Sequence, residues 1–363
     1  MKRFKTLIKD VKNSWKYRGK INSSFYDADI YWLDPRDIKY ATKTGLNNQQ
    51  FKNKVIRGDW DKPYYNFTDL DIYQSIQARI TANISWEGTT AYKRILKQIE
   101  FGEEKWGCKN KTDLNARCKK IDALIQDIKE NGYKADSDDE ITINISRDGL
   151  LLLNHGRHRL ACAKLLDIKK IPVQIVARHK DWVKFKKEIL YYAWCNKGMV
   201  YAPLDHLDLI HIPSLHKGRF ELIKANLDVC GGRVLDIGAH WGHFSSKFED
   251  LGFESFAVEQ NEECLYFLKR LKKSKAKKFH VIADDILAYG LRHNQFDVVL
   301  ALSVFHWFIR EKGTYERFKT FLNNLKMKEM FFQAYAQNHT QMQQAYKISL
   351  QRNLLNLLLI IPV

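Results

Sequence analysis

The segment Asp236-Ile-Gly-Ala-His-Trp-Gly242 follows the apolar run Val234, Leu235, Ile237 and leads into a helical pattern. A buried strand, a glycine turn and a helix start let backbone amides approach a ligand, which suits a nucleotide-like cofactor. The dinucleotide fingerprint Gly-x-Gly-x-x-Gly is not met, and a carboxylate beside the turn suits a cofactor bearing a cation. Glu259 lies 21 residues beyond Gly238, near the ~20 residues at which an acidic side chain meets ribose hydroxyls. Asp284-Asp285 and Ser303 close two later apolar runs. His306 has the side chain to remove a hydroxyl proton near neutrality, and a packing or capping histidine fits that position equally. A second cluster, Gly156-Arg157-His158-Arg159, places three donors in the first turn of a helix behind a glycine. Basic groups there oppose the helix dipole, so an anion such as phosphate would give them a purpose. The plainer alternative is a basic helix start capping a surface loop.

The elements around these residues set the fold class. Val234–Ile237, Glu254–Glu259, Phe279–Ala283, Phe296–Ser303 and Lys328–Ala334 read as strands separated by helical patterns, which predicts a doubly wound α/β sheet with ligands at the carboxyl ends of its strands. Upstream, residues 70–82, 89–101 and 114–131 carry apolar spacings of three and four, and Gly132 stands where a C-cap glycine ends a helix. Glu140–Ile145 and Leu150–Leu153 alternate as strands around the turn Arg147-Asp-Gly149, and a helix over 160–166 precedes a strand over 171–176. Arg57–Pro63 reads as an exposed turn in which Trp60, between two aspartates, is either a recognition loop or an aromatic folded back on the surface.

The order Asp-x-Gly-x-x-x-Gly at 236–242 resembles motif I of class I S-adenosylmethionine-dependent methyltransferases, with His240 where that family commonly has a middle glycine. The resemblance extends over about residues 203–363 and implies a Rossmann-like methyltransferase-type domain. Its S-adenosylmethionine would meet Asp236, Gly238, His240, Gly242, Glu259 on the ribose, Asp284 and Asp285 near the adenine amino group, and Ser303. Enzymes acting on exocyclic amines of bases usually carry an Asp/Asn-Pro-Pro-aromatic turn after the fourth strand. Ser303-Val-Phe-His-Trp307 stands there instead, pointing to an oxygen or carbon acceptor, with His306 as the candidate base. The segment from Cys118 to His179, with Asn154-His-Gly-Arg-His-Arg159 at its centre, resembles the ParB/sulfiredoxin superfamily. That resemblance implies an α+β domain over about residues 30–185 whose Gly156–Arg159 turn holds nucleotide phosphates, with a nucleoside triphosphate and magnesium as the expected ligand. The reactive cysteine of sulfiredoxins is Arg157 here, so sulfinic-acid reduction is not expected.

The expected organisation is a basic amphipathic segment 1–29, the ParB/sulfiredoxin-like domain 30–185, a connector 186–202 and the methyltransferase-like domain 203–363. Sixty Lys+Arg against 42 Asp+Glu give a net charge of +18, which favours an anionic or small-molecule substrate, nucleic acid or an acidic membrane surface. Residues 1–20 hold eight basic side chains and one acid with Phe4, Leu7, Ile8, Val11 and Trp15 on one helical face, so peripheral membrane contact is one expectation and packing on the chain's own surface the other. Six cysteines without a Cys-x-x-Cys pair indicate no metal site and a reducing, cytoplasmic setting. P-loop, His-Glu-x-x-His and Gly-x-Ser-x-Gly patterns are absent. Beyond the fifth strand the sequence offers one helix, about 339–353, and the apolar tail 354–363. The methyltransferase fold normally adds two more strands, so a C-terminally truncated sheet is expected, with self-association through its exposed edge. Two function classes result: a methyltransferase with an attached nucleotide-binding domain, or a nucleotide-dependent DNA- or polyanion-binding protein whose methyltransferase-like domain is not catalytic. Deletion of residues 1–20 is expected to leave S-adenosylmethionine affinity within a factor of about two, roughly 0.4 kcal/mol by calorimetric titration.

Overall fold

Strands buried on both faces must satisfy their backbone groups within a sheet and their side chains against helices, and both patterned halves of the sequence do so. The computed structural model describes residues 30–43, 45–134, 140–289 and 295–333. The chain divides into two units, Met1–Tyr191 and Tyr192–Val363. The basic segment 1–29, the helix over 339–353 and the tail 354–363 lie outside the described residues.

The first unit is α+β. Its described strands are β1 (Tyr31–Leu33), β2 (Tyr40–Thr42), β3 (Lys54–Ile56), β4 (Tyr64–Asn66), β5 (Ile141–Ile145), β6 (Leu151–His155) and β7 (Ile171–His179). They form one mixed sheet in the order β1-β7-β5-β6-β2-β4, with β3 pairing the far end of β7. The hairpin β5–β6 is antiparallel and β5 runs parallel to β7, so the strand patterns read around residues 140–176 form the centre of this sheet. Helices α1 (Asn48–Phe51), α2 (Asp71–Ala82), α3 (Thr90–Glu100), α4 (Lys111–Asn131) and α5 (Arg157–Leu165) complete the unit. Asn110 caps α4 by accepting from the Asp113 amide at 2.9 Å, and the Gly132 amide closes its end on the Ile128 carbonyl. The short strands β2, β3 and β4 escape a periodicity reading because three residues carry too few side chains to show a period.

Trp60 does not stand out as a recognition loop. It is half-buried with its ring 5.9 Å from that of His179, and the neighbouring Asp61 is 1% exposed. Asp61 accepts from the Arg147 amide at 2.9 Å and from its guanidinium at 2.6 to 3.0 Å, joining the 57–63 turn to the β5–β6 turn. Burial alone would raise the Asp61 carboxyl, but the hydrogen bonds and charge of Arg147 hold it below the ordinary aspartate value.

The boundary between the units falls within α6 (Lys180–Cys195), so the expected connector 186–202 is helical over its first half. The second unit continues with α7 (Arg219–Ala225), β8 (Arg233–Ile237), α8 (His243–Asp250), β9 (Glu254–Val258), α9 (Glu262–Ser274), β10 (His280–Ile282), α10 (Ile286–Tyr289), β11 (Val298–Leu302), α11 (Lys312–Asn324) and β12 (Glu329–Gln333). The five strands are all parallel in the order β10-β9-β8-β11-β12, reversing direction of travel between β8 and β11. Alternate residues face opposite helix layers: Leu235, Ile237, Val299 and Ala301 pack with Phe305, Phe318 and Leu322, while Val234, Val298 and Leu300 pack with Phe220, Phe244 and Phe248. This is a Rossmann-like sheet, and its switch point between β8 and β11 is where ligands bind in such folds. Among the described residues β12 is the last strand; the expected truncation and self-association concern the undescribed residues beyond Gln333. No described helix is long and apolar enough to cross a membrane.

Asp61→Ala is expected to destabilise the first unit by about 2–4 kcal/mol, because it strands Arg147, partly buried, without its main acceptor. Asp61 has a depressed pKa, so its contribution is present above the unfolded aspartate value of ~3.9 and fades as pH falls through the lower folded value. Urea denaturation of wild type and variant at pH 7 and pH 3 checks both: the two midpoints should converge at the lower pH.

Candidate functional site

A cleft of about 560 Å³ opens at the carboxyl ends of the parallel strands, lined by Gly238, His240, Glu259, Asp284, Asp285, Ser303 and His306 among others. Four loops deliver them, one each after β8, β9, β10 and β11. Glu259 follows the last residue of β9 and is 9% exposed. Its Oε2 accepts from the His240 amide at 2.9 Å and its Oε1 from the Asn261 amide at 2.8 Å, so the carboxylate ties the turn after β8 to the turn after β9. Burial raises the Glu259 carboxyl above its ordinary value, against the opposing pull of those amides. Each oxygen retains acceptor capacity for a ligand hydroxyl.

The glycines of the first turn have separate tasks. Gly238, at φ 71°, donates its amide to the Val258 carbonyl at 3.0 Å, and a Cβ there would come within 2.9 Å of the Val304 side chain. Gly242, at φ 76°, caps α8 but does not line the cleft; its missing Cβ makes room for Phe279 and Leu268, which would sit at 3.0 and 3.3 Å. Gly242 is therefore packed closely at the start of α8 against α9 and Phe279. Asp236 is likewise turned away from the cleft wall. It is 3% exposed, absent from the cleft wall, and its Oδ2 accepts from the Ser245 amide at 3.2 Å and hydroxyl at 2.7 Å. Burial pushes its carboxyl up to about 6, moderated by Ser245. A carboxylate so placed steadies the turn from beneath.

His240 stands in the left-handed region at φ 52° with its ring stacked on Trp241 at 5.1 Å and tilted against Tyr201 at 5.0 Å. Burial pushes its imidazole down to about 4, so the ring is neutral at physiological pH. Asp284 Oδ1 accepts from the Asp285 amide at 2.8 Å and Asp285 Oδ1 from the Leu287 amide at 3.0 Å, fixing both carboxylates at the start of α10. Ser303, at φ 58°, donates its amide to Gln333. His306 is 7% exposed on a single 3₁₀ turn, followed by the exposed Trp307, whose ring lies 3.7 Å from the Arg310 guanidinium carbon. Tyr201, Gln260, Asn261 and Trp307 also line the cleft. Sequence reading passed over Tyr201 because it lies in no motif, and Gln260 and Asn261 although they immediately follow Glu259.

Residues 235–326 match the family model of a methyltransferase domain. The match runs from within β8 to just past the end of α11, which takes in the loops after β8, β9, β10 and β11. Among solved structures, the chain is similar to a protein of Pyrococcus horikoshii (22% identity over 40% of this chain and 61% of that one, TM-score 0.29). It is also similar to a putative S-adenosylmethionine-dependent methyltransferase from Listeria monocytogenes (21% identity, 30% and 50%, TM-score 0.25). A third is an S-adenosylmethionine-dependent methyltransferase from Clostridium acetobutylicum (17% identity, 43% and 58%, TM-score 0.30). The chain thus spans 50 to 61% of the length of these three. No curated protein matches the sequence.

The first unit holds a separate cavity of about 900 Å³ at the Gly156 turn. Gly156 caps α5, and Arg157, His158 and Arg159 of its first turn line the cavity as expected. His158 does not add a charge: burial, then the nearby Arg117 and Arg157, push its imidazole down to about 4, and its Nε2 is buried without a hydrogen-bond partner. The further cations are Arg117 and Lys120, one turn apart on α4 and facing the same cavity. Among the described residues no Asp or Glu lines it. Among the described residues Arg117, Lys120 and Arg157 form no ion pair. Arg117 and Lys120 escaped sequence reading because nothing local distinguishes them from the other solvated bases of α4.

Asp236→Asn is expected to retain the hydrogen bonds from Ser245 and to leave cofactor affinity within about threefold, roughly 0.7 kcal/mol. Because the raised aspartate pKa favours folding most below the unfolded value near ~4 and loses that advantage as pH rises through about 6, the variant should also flatten stability between pH 4 and 6. Denaturation midpoints measured across that range check the slope.

Proposed function

We propose that the second unit binds S-adenosylmethionine in the cleft at its strand ends and transfers the methyl group to an oxygen or carbon acceptor on an anionic substrate. The observation that carries this reading is Glu259: a nearly buried carboxylate at the end of β9, oriented by two backbone amides and facing the cleft. Such a carboxylate is a rigid acceptor for paired hydroxyls, and it stands in a domain whose family model is a methyltransferase.

The residues fit the group. Glu259 would take the ribose hydroxyls, Asp284 and Asp285 the adenine side, and the Gly238–His240 backbone with Ser303 the amino-acid end. When bound, S-adenosylmethionine supplies an electrophilic methyl on a positively charged sulfur. The protein's part is to position and to exclude water, which is most of what methyl transfer requires. Val304, Phe308 and Ile286 give the cleft apolar walls. His306, on the loop after β11, is the group able to accept a hydroxyl proton from the acceptor. The Ser303–Trp307 sequence in place of a Pro-Pro turn supports oxygen or carbon over base-amine acceptors, and the net charge of +18 supports an anionic one.

A second reading concerns the first unit: its cavity binds a phosphate-bearing ligand. Three cations that have no carboxylate partner among the described residues, around one cavity at a helix N-terminus, support it. A magnesium ion accompanying a nucleoside triphosphate would be held chiefly by the phosphates and water. The expected ParB/sulfiredoxin relationship supports the same ligand class. Peripheral membrane contact through residues 1–20, self-association and a cytoplasmic setting remain expectations of the sequence.

Glu259→Ala should weaken S-adenosylmethionine binding about tenfold or more, since a charge-assisted hydrogen bond contributes ~1.5–3 kcal/mol. Isothermal titration of both proteins decides it: unchanged affinity overturns the cofactor assignment. No binding by wild type, together with steeply salt-dependent binding of duplex DNA, would favour a non-catalytic polyanion-binding protein.

A further inference from the structure

We propose that the methyl acceptor of the second unit is a phenolic carboxylate, its ring lying on Trp307, its hydroxyl beside His306 and its carboxylate received by Tyr201 and Arg219. This rests on the methyltransferase reading of the cleft and adds the class of molecule that is methylated.

The loop after β11 supplies the first observation. Trp307 is 51% exposed although it is a large apolar ring, and it lines the cleft. It is also held in place: the Arg310 guanidinium carbon lies 3.7 Å from the ring centroid, and the Trp307 amide donates to the Val304 carbonyl at 3.1 Å. An indole fixed by a cation and left half open in a cleft is a platform for a planar ring. The His306 ring lies 5.0 Å from it, so a ring stacked on Trp307 brings a substituent hydroxyl beside that imidazole. Acidity then selects a phenol over an aliphatic alcohol. Imidazoles ordinarily titrate near ~6.5 and phenols near ~10, whereas an aliphatic hydroxyl is about as weak an acid as water, at ~15.7. Proton removal by an imidazole is far less uphill from the phenol.

The second observation lies across the turn after β8. The Tyr201 ring lines the cleft and meets the His240 ring at 5.0 Å, and the missing Cβ of Gly238 lets that turn close on Val304. Tyr201 and Trp307 therefore border the end of the cleft away from Asp284 and Asp285, which follow the edge strand β10. Arg219, the first residue of α7, donates from Nη1 to Tyr201 Oη at 3.3 Å and from Nη2 to His216 Nδ1 at 2.6 Å. His216 accepts as a neutral imidazole, since burial, then the Arg219 charge, lower its pKa. Both partners are uncharged, and among the described residues Arg219 meets no carboxylate. A guanidinium carries five N–H groups in a fork that fits a carboxylate, and most of them remain to be used here. Because Tyr201 Oη accepts from Arg219, its own O–H is left to donate to the same anion. On transfer the phenolic oxygen bonds to the methyl carbon as the carbon–sulfur bond breaks, the electron pair stays on the now neutral sulfur, and the phenolic proton passes to His306.

Full-length protein saturated with S-adenosylhomocysteine and titrated calorimetrically with para-hydroxybenzoate, its amide, its saturated-ring analogue and glucuronate tests the assignment. Para-hydroxybenzoate should bind about fivefold or more tightly than each of the others. Trp307→Ala should remove the preference over the saturated analogue and Trp307→Phe should restore it. Arg219→Met should remove only the preference over the amide, with S-adenosylhomocysteine affinity within about twofold. When S-adenosylmethionine is supplied, wild type should form para-methoxybenzoate, and His306→Gln should slow that at least about tenfold while para-hydroxybenzoate affinity stays within about threefold. Equal binding of the aromatic and saturated acids, tighter binding of glucuronate, failure of all four probes to bind, or no methoxy product overturns the phenolic assignment and leaves the cofactor reading standing. Loss of S-adenosylhomocysteine affinity in Arg219→Met also overturns it, by giving Arg219 to the carboxylate of the cofactor. Failure of wild type to bind S-adenosylmethionine or S-adenosylhomocysteine overturns the cofactor reading itself.

Discussion

The Glu259 carboxylate, nearly buried and gripped by the backbone amides of His240 and Asn261, is the contact on which the cleft of the second unit depends. The turns after β8 and β9 lie on adjacent strands, and the Gly238 and Ala239 amides reach the Val258 carbonyl at the end of β9, at 3.0 and 2.9 Å. Beyond that point the Glu259 carboxylate ties the two turns together with two charge-assisted bonds. Its burial is unfavourable for the ionised form, and the amides that offset that burial are those of the turns themselves. The shape of the first turn and the charge state of Glu259 are therefore set together.

Around that contact, the sheet gives every polar site residue the same address. β8 and β11 are covered on both faces by the layers built on Phe305 and Phe318 and on Phe244 and Phe248, so charged groups are confined to the strand ends. Asp236 is the instructive exception. It lies within β8 and accepts hydrogen bonds from the Ser245 amide and hydroxyl, which makes it a support for the helix start. Gly242 likewise serves the seam between Phe279 and Leu268. A motif that looks like a list of ligand contacts divides into a lining half and a bracing half.

In the first unit the organising feature is electrostatic. α4 and the first turn of α5 bring Arg117, Lys120 and Arg157 to one cavity that no described carboxylate lines, and burial, then the charges of Arg117 and Arg157, keep His158 neutral. Like charges gathered this way repel, and their proximity is sustained by the packing of α4 and α5 on the sheet rather than by any pairing among themselves. The Asp61 and Arg147 contact shows the opposite arrangement, in which a nearly buried carboxylate and a guanidinium join two turns far apart in sequence.

Local chemistry made much of this legible. The five parallel strands, the helices over 71–131 and the hairpin before Gly156 follow from apolar periodicity and from turn and cap residues, all of which act within a few positions along the chain. The spacing of Glu259, Asp284, Asp285, Ser303 and His306 at successive strand ends was readable for the same reason: a parallel α/β sheet returns every strand end to one side. The sequence did not reveal that Asp236 turns inward to Ser245, that Gly242 makes room for Phe279, that His158 is uncharged, or that Arg117, Lys120 and Trp106 share a cavity with residues 154–159. Each of these depends on burial or on the meeting of segments tens of residues apart, and side-chain direction and desolvation exist only once the layers have packed. Residue types and their order determined which chemistry was available; the tertiary structure decided which groups face a ligand and which hold the walls.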